Sequence, residues 1–96
     1  MTSRVIYAED ENLSLSYEVL NDCLYVHVVL HAFNKHVFER LRAAWEHMKM
    51  DAYMDGWEYI FTYTKDPRIV SLIGGAEEIV SDELPKGIKV FKWELK

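Results

Sequence analysis

From Leu13 to Leu30 apolar residues recur at every second position: Leu13, Leu15, Tyr17 and Val19, then Leu24, Val26, Val28 and Leu30. Alternation of this kind marks half-buried strands, and Asn21-Asp22 between the two runs supplies turn chemistry, so the segment predicts an antiparallel hairpin. Val5-Ile6-Tyr7 adds a short first strand ahead of the acidic turn Glu9-Asp10-Glu11-Asn12. The period then changes from two to nearly four. Val37, Phe38, Leu41, Ala44, Trp45, Met48 and Ala52 fall on one helical face, while Glu39, Arg42, Glu46 and Lys49 fall on the other. Asn34 is a good N-cap for this helix and Gly56 a good terminator.

Trp57 to Tyr63 is short and apolar on both alternating faces apart from Glu58 and Thr62, which predicts a central strand. It follows the hairpin through one long helix, so the strand around Val26 to Leu30 should lie beside it and parallel to it. Asp66 is placed to cap a short helix with Pro67 at its first position, and Gly74-Gly75 ends that helix. Glu77 to Val80 and Ile88 to Leu95 form two last strands around the turn-rich Ser81 to Gly87. The expected class is α/β (α+β): a single mixed sheet of about six strands with one long and one short helix, in the order β-β-β-α-β-α-β-β. Residues 1–96 make one domain, because a chain this short holds a single core.

Composition narrows the choice of partners. Sixteen acidic against eleven basic residues give a formal charge of −5, which argues against a phosphate-binding footprint and favours a protein partner, a basic one in particular, over nucleic acid. The single cysteine, Cys23, cannot form an internal disulfide and falls inside a predicted strand, where a buried inert thiol is expected. No stretch approaches the roughly 20 apolar residues that span a bilayer, and no charged start precedes an apolar run. These features predict a cytoplasmic protein without a membrane partner.

The run Gly56-Trp-Glu-Tyr-Ile-Phe-Thr-Tyr-Thr-Lys-Asp-Pro-Arg-Ile-Val-Ser-Leu-Ile-Gly-Gly-Ala76, set in the element order above, resembles the GNAT acyltransferase fold without its N-terminal helices. Short GNAT-like proteins of tailed bacteriophages carry a similar run, which would place the chain in a host cytoplasm. Members that use acetyl-CoA carry a Gln/Arg-x-x-Gly-x-Gly/Ala loop at the start of the long helix, where glycines let backbone amides approach the pyrophosphate. The corresponding stretch here, Phe33-Asn34-Lys35-His36-Val37-Phe38, has no glycine. Asn34, Lys35 and His36 are therefore the cofactor-binding candidates that the resemblance implies, with Val37 and Phe38 obstructing close approach. Many active members place a tyrosine four residues before the glycine of the second helix. Val70 or Ser71 stands at that position here, according to whether Gly74 or Gly75 is matched.

Other candidates come from the residues themselves. His27, His31 and His36 suggest a metal or acid-base cluster, but strand residues four apart are roughly 13 Å apart, so no metal site is expected and surface or half-buried histidines are the simpler outcome. Trp45, Trp57, Tyr59, Phe61 and Trp93 could form a stacking platform, although their spacings suit a core. The turn Thr64, Lys65, Asp66 and Arg68 is a better place for a partner or ligand, since it follows a parallel strand, where α/β sheets tend to bind. The acids Glu9-Asp10-Glu11, Glu77-Glu78 and Asp82-Glu83 would attract a basic partner over distance only as one contiguous patch.

The expected function is that of a non-catalytic GNAT-like protein-binding domain, plausibly a phage accessory or host-interaction factor, with no cofactor and no identified catalytic residue. The rival expectation is a divergent N-acyltransferase using acetyl-CoA at the Asn34 helix start. A third is a virion or assembly component. An apolar edge strand at Ile88 to Leu95 would let two copies pair as a homodimer, with Lys89, Lys92 and Lys96 opposing it.

Overall fold

The computed structural model describes residues 4–95, so Lys96 lies outside the described residues. The strands are β1 (Val5–Glu9), β2 (Leu13–Leu20), β3 (Cys23–Leu30), β4 (Tyr59–Thr64), β5 (Glu77–Ile79) and β6 (Lys89–Glu94). The helices are α1 (Lys35–Met54), between β3 and β4, and α2 (Arg68–Ile73), between β4 and β5. All six strands form one mixed sheet in the order β1-β2-β3-β4-β6-β5. Only β3 and β4 run parallel; the other neighbours are antiparallel.

The hairpin β2–β3 closes at Asn21 and Asp22, both in left-handed backbone with φ of 51° and 63°, which is the twist a two-residue turn needs to feed paired strands. The turn sets the register at Leu20 opposite Cys23, and Tyr17 consequently faces Val26. In β1 the register slips between Ile6 and Ala8. Tyr7 sits at that irregularity, where its hydroxyl bonds His47 Nδ1 at 2.8 Å and donates to Asp51, tying the edge strand to α1. Burial and the Asp51 carboxylate push the Tyr7 phenol up to about 12. Asp10 and Arg40 form a second tie between the β1–β2 turn and the helix.

Asn34 caps α1 by accepting from the Val37 amide at 3.0 Å, as the sequence predicts. The helix ends at Met54, and after Asp55 comes Gly56, whose φ of 94° allows the Gly56 amide to bond Tyr53 and the Trp57 amide to bond Ala52. This paired closure satisfies two end carbonyls and sends the chain back towards the sheet. Val37, Leu41, Trp45, Met48 and Ala52 are buried, while Phe38 and Ala44 are only half-buried at the margin of the stripe.

The core is one layer between α1, α2 and a single face of the sheet. Register places Leu13, Leu15, Leu24, Val26, Ile60, Phe91 and Trp93 on that face, and all are buried together with the α1 stripe and Val70 of α2. Trp45 meets Trp93 with ring centroids 4.6 Å apart, and Trp93 Nε1 donates to the Gly74 carbonyl just after α2 at 2.9 Å. Thus Trp45 and Trp93 belong to the core, but Tyr59 and Phe61 do not: alternation turns them to the opposite face, where both are half-buried.

Three expectations need correction. Ile88 to Leu95 is not an edge, because β6 lies between β4 and β5 and the exposed edges are β1 and β5. Cys23 is half-buried rather than sealed, since it opens β3 beside the hairpin turn. The second helix begins at Arg68, so Pro67 precedes it and Asp66 holds the Arg68 amide at 3.1 Å from outside.

Candidate functional site

The face of the sheet opposite the helices carries Ser14, Ser16, Glu18, Tyr25, His27, Val29, Tyr59, Phe61, Tyr63 and Lys92, a placement that follows from register alone. Neither helix contributes a core residue to this face. Its rings touch in series. Tyr25 lies 5.7 Å from both Phe61 and Tyr63, Tyr59 lies 6.2 Å from Phe61, and Lys92 sits 5.0 Å above the Tyr59 ring.

Within this face is a buried polar cluster. His27 Nε2 and Glu18 Oε1 are 2.7 Å apart, and their side chains are only 9% and 7% exposed. The Tyr63 hydroxyl donates to the same carboxylate oxygen at 3.3 Å, and Arg4 Nε stands 3.9 Å from it. The His27 hydrogen bond holds the Glu18 carboxyl below its usual range, so it is ionised and accepts. Burial holds the His27 imidazole below its usual value, against the opposing pull of Glu18. A neutral ring that donates through Nε2 leaves Nδ1 with a lone pair. Among the described residues no group bonds Nδ1, and no buried side-chain nitrogen or oxygen lacks a partner, so Nδ1 retains solvent contact.

The cluster borders a cleft at the C-terminal ends of the parallel strands. Tyr25 opposite Phe61 is the one paired position of β3 and β4. Beyond it the Thr62 hydroxyl donates to the Val26 carbonyl at 2.7 Å, placing a side chain between the two backbones. The resulting space, about 230 Å³, is bounded by Arg4, His27 and Tyr63 on one side and by Val28, Ile69 and Ile73 on the other. A larger hollow of about 400 Å³ lies near the end of α1 beside Tyr7 and Trp57. Of the polar side chains that line it, which include Tyr17 and Asp55, Tyr7 and Asp51 bond each other.

Some of the residues singled out from sequence lie elsewhere, and others reach the cleft. Asn34, Lys35 and His36 are exposed, and Asn34 spends its side-chain oxygen on the helix cap. Phe33, just before the cap, packs on Phe38 with centroids 6.2 Å apart, a staple that fixes the entry of the chain into α1. Val37 points into the core rather than obstructing the helix start. In the turn, Thr64 Oγ1 accepts from the Asp66 amide at 3.0 Å, and Arg68 grips Asp66 through Nε at 2.8 Å and a terminal nitrogen at 2.6 Å. That bond depresses the Asp66 carboxyl and raises the Arg68 guanidinium. Lys65 is exposed beside it, while Thr64 and Asp66 reach the cleft.

His27 is buried and paired, contrary to the expectation of surface or half-buried histidines, and His31 and His36 stay exposed. Among the described residues no three His, Cys, Asp or Glu side chains are grouped to hold a metal ion, and no helix is long and apolar enough to cross a membrane. Glu18, Tyr63 and Arg4 escaped the sequence reading. The signal for Glu18 was present: once Asn21-Asp22 fixes the hairpin register, Ser16 faces His27 and Glu18 is its diagonal neighbour on the same face. The acidic runs do not merge, since Glu9 is on edge strand β1 and Glu77-Glu78 on edge strand β5. No family model matches the chain, nor does any curated protein or solved structure.

Proposed function

We propose that this chain is a non-catalytic protein-binding domain that receives an amphipathic helix of a partner protein on the bare sheet face. The observation that carries this reading is the row of rings over the parallel pair β3–β4, in which Tyr25, Phe61 and Tyr59 are half-buried and Tyr63 is exposed. Parallel strands in folded domains are generally covered on both faces, and a layered domain buries each apolar face against another element. Here one layer is missing. Tyrosine and phenylalanine are also the residues that enrich protein interfaces. Register puts the acids Glu9, Glu77 and Glu94 on this face against Arg4 and Lys92, so the complementary helix has an apolar stripe with basic flanks.

A synthetic helical peptide of leucine and lysine with that pattern tests the reading by NMR mapping. Shifts confined to Tyr25, Tyr59, Phe61 and Tyr63, and abolished by Tyr25→Ser with Phe61→Ser, are expected. Mapping to exposed faces of α1, or sedimentation showing that a second copy of the chain covers the face, would overturn it.

One observation favours a second reading, a divergent N-acyltransferase of the GNAT type: β3 and β4 separate beside a carboxylate-backed histidine. Acetyl-CoA distinguishes the two, because a ligand stabilises by its occupancy of the native state. Micromolar binding would add about 2 to 4 kcal/mol at millimolar ligand, several degrees of melting temperature. With a capped, stapled, glycine-free start to α1, the expected response is flat.

A further inference from the structure

The cleft between β3 and β4 has chemistry that protein docking does not use. We propose that it binds a small neutral molecule bearing a hydroxyl on a short hydrocarbon body, with the hydroxyl donating to His27 Nδ1. His27 is more than nine-tenths buried, its Nε2 is committed to Glu18 at 2.7 Å, and it borders the cleft. The carboxylate dictates which ring nitrogen carries the proton, which leaves Nδ1 as an unbonded acceptor on a ring that lines the cleft. Tyr63 cannot reverse that polarity, because its hydroxyl is turned to Glu18.

Charge and shape select the rest of the ligand. A carboxylate would bring only acceptors to a lone pair and would approach the ionised Glu18. An ammonium head could donate to Nδ1, but it would shed its hydration beside a carboxylate already engaged by His27, Tyr63 and Arg4, and would face the Arg4 guanidinium 3.9 Å from Glu18. A neutral hydroxyl avoids both penalties and supplies the missing donor. Val28, Ile69 and Ile73 offer apolar wall for a few carbons, and about 230 Å³ is smaller than the pockets that hold drug-sized ligands.

Three probes with one hydrocarbon body and different heads test this: isoamyl alcohol, isoamylammonium and isovalerate, each titrated near neutral pH into isotope-labelled protein followed by NMR. The alcohol should shift His27, Val28 and Ile69 saturably, and bind at least about tenfold tighter than isovalerate, the worth of one well-made hydrogen bond, and at least about tenfold tighter than isoamylammonium, which must give up the hydration of its charge. His27→Phe should remove that preference. Since this variant leaves Glu18 without its main partner and could unfold, Glu18→Gln is the second arm: a neutral amide no longer fixes the tautomer, so alcohol and isovalerate should bind within about twofold of each other. Equal binding of the three heads to the unaltered protein, tighter binding of isovalerate, no saturation by any probe, or full preference retained in folded Glu18→Gln would each overturn the proposal. None of these outcomes depends on whether a partner helix docks.

Discussion

Replacing Trp45 by alanine probes the single-layer core at its centre. Trp45 is 2% exposed, leans on Trp93 with centroids 4.6 Å apart, and sits midway along the buried stripe of α1. Deleting a buried tryptophan removes its transfer free energy and leaves a cavity that two rigid layers close poorly, at a cost of about 3 to 5 kcal/mol. A domain of 96 residues has a total stability of about 5 to 14 kcal/mol, so the loss takes a large share of it, and nearly all of it at the low end. At about 4 to 8 °C per kcal/mol, its melting temperature should fall by at least 12 °C or so. Glu46, the next residue, is exposed and paired only with Lys49 at 3.2 Å, so Glu46→Ala should cost under about 0.5 kcal/mol. Urea unfolding followed by far-ultraviolet circular dichroism measures both without relying on the tryptophan being removed. Small and equal losses would refute the helix phase and the core built on it.

Acid should destabilise the domain in two stages. His27 has a folded pKa below its unfolded value, so neutral His27 favours the fold above pH of about 6.5 and stability declines as pH falls through and below that value; Glu18, also lowered, loses its contribution at more acid pH, below the ordinary carboxylate range. The groups facing His27 are Glu18, Arg4 and Tyr63, and melting temperature against pH in His27→Phe should lack the upper stage. Asn34→Ala should cost about 1 kcal/mol in urea unfolding by freeing the Val37 amide, without altering binding of the alcohol probe in the cleft.

Local pattern was enough wherever the determinant was local. Alternation from Leu13 to Leu30 with a turn at Asn21-Asp22, and the α1 stripe bounded by Asn34 and Gly56, state their own structure because period and capping act over a few residues. The parallel pairing of β3 and β4 followed from the length of the connection. The insertion of β6 between β4 and β5 did not, since it depends on Trp93 packing against Trp45 and bonding Gly74, partners 48 and 19 residues away in sequence. Tyr59 and Phe61 look like core residues because apolar strands with both faces filled suit a central position, and β4 is indeed central. Only the absence of a second layer leaves their rings half-exposed. His27 was visible as a histidine in a strand, but its burial rests on Glu18 and Tyr63, which converge from β2 and β4.

The separation of β3 from β4 underlies the cleft, and Thr62 provides a test of its origin. Its side chain is on the buried face, 8% exposed, and its hydroxyl donates to the carbonyl of Val26, itself 1% exposed. Thr62→Val keeps the shape and removes the donor; Thr62→Ser keeps the donor and removes a methyl group. If the hydroxyl holds the strands in place, valine should cost about 1 to 3 kcal/mol, the penalty for stripping a partner from a buried polar group. Serine should then cost only about 1 kcal/mol, near the value of one buried methyl or methylene. If apolar packing were the dominant contribution, the order would reverse, with valine nearly neutral. Amide exchange at Val28 and Tyr63 gives the local reading: it should accelerate in Thr62→Val more than in Thr62→Ser, because the bond lies between these two positions on opposite sides of the gap. Faster exchange in the serine variant would mean that the cleft is held open by the packing of Val28, Ile69 and Ile73 instead.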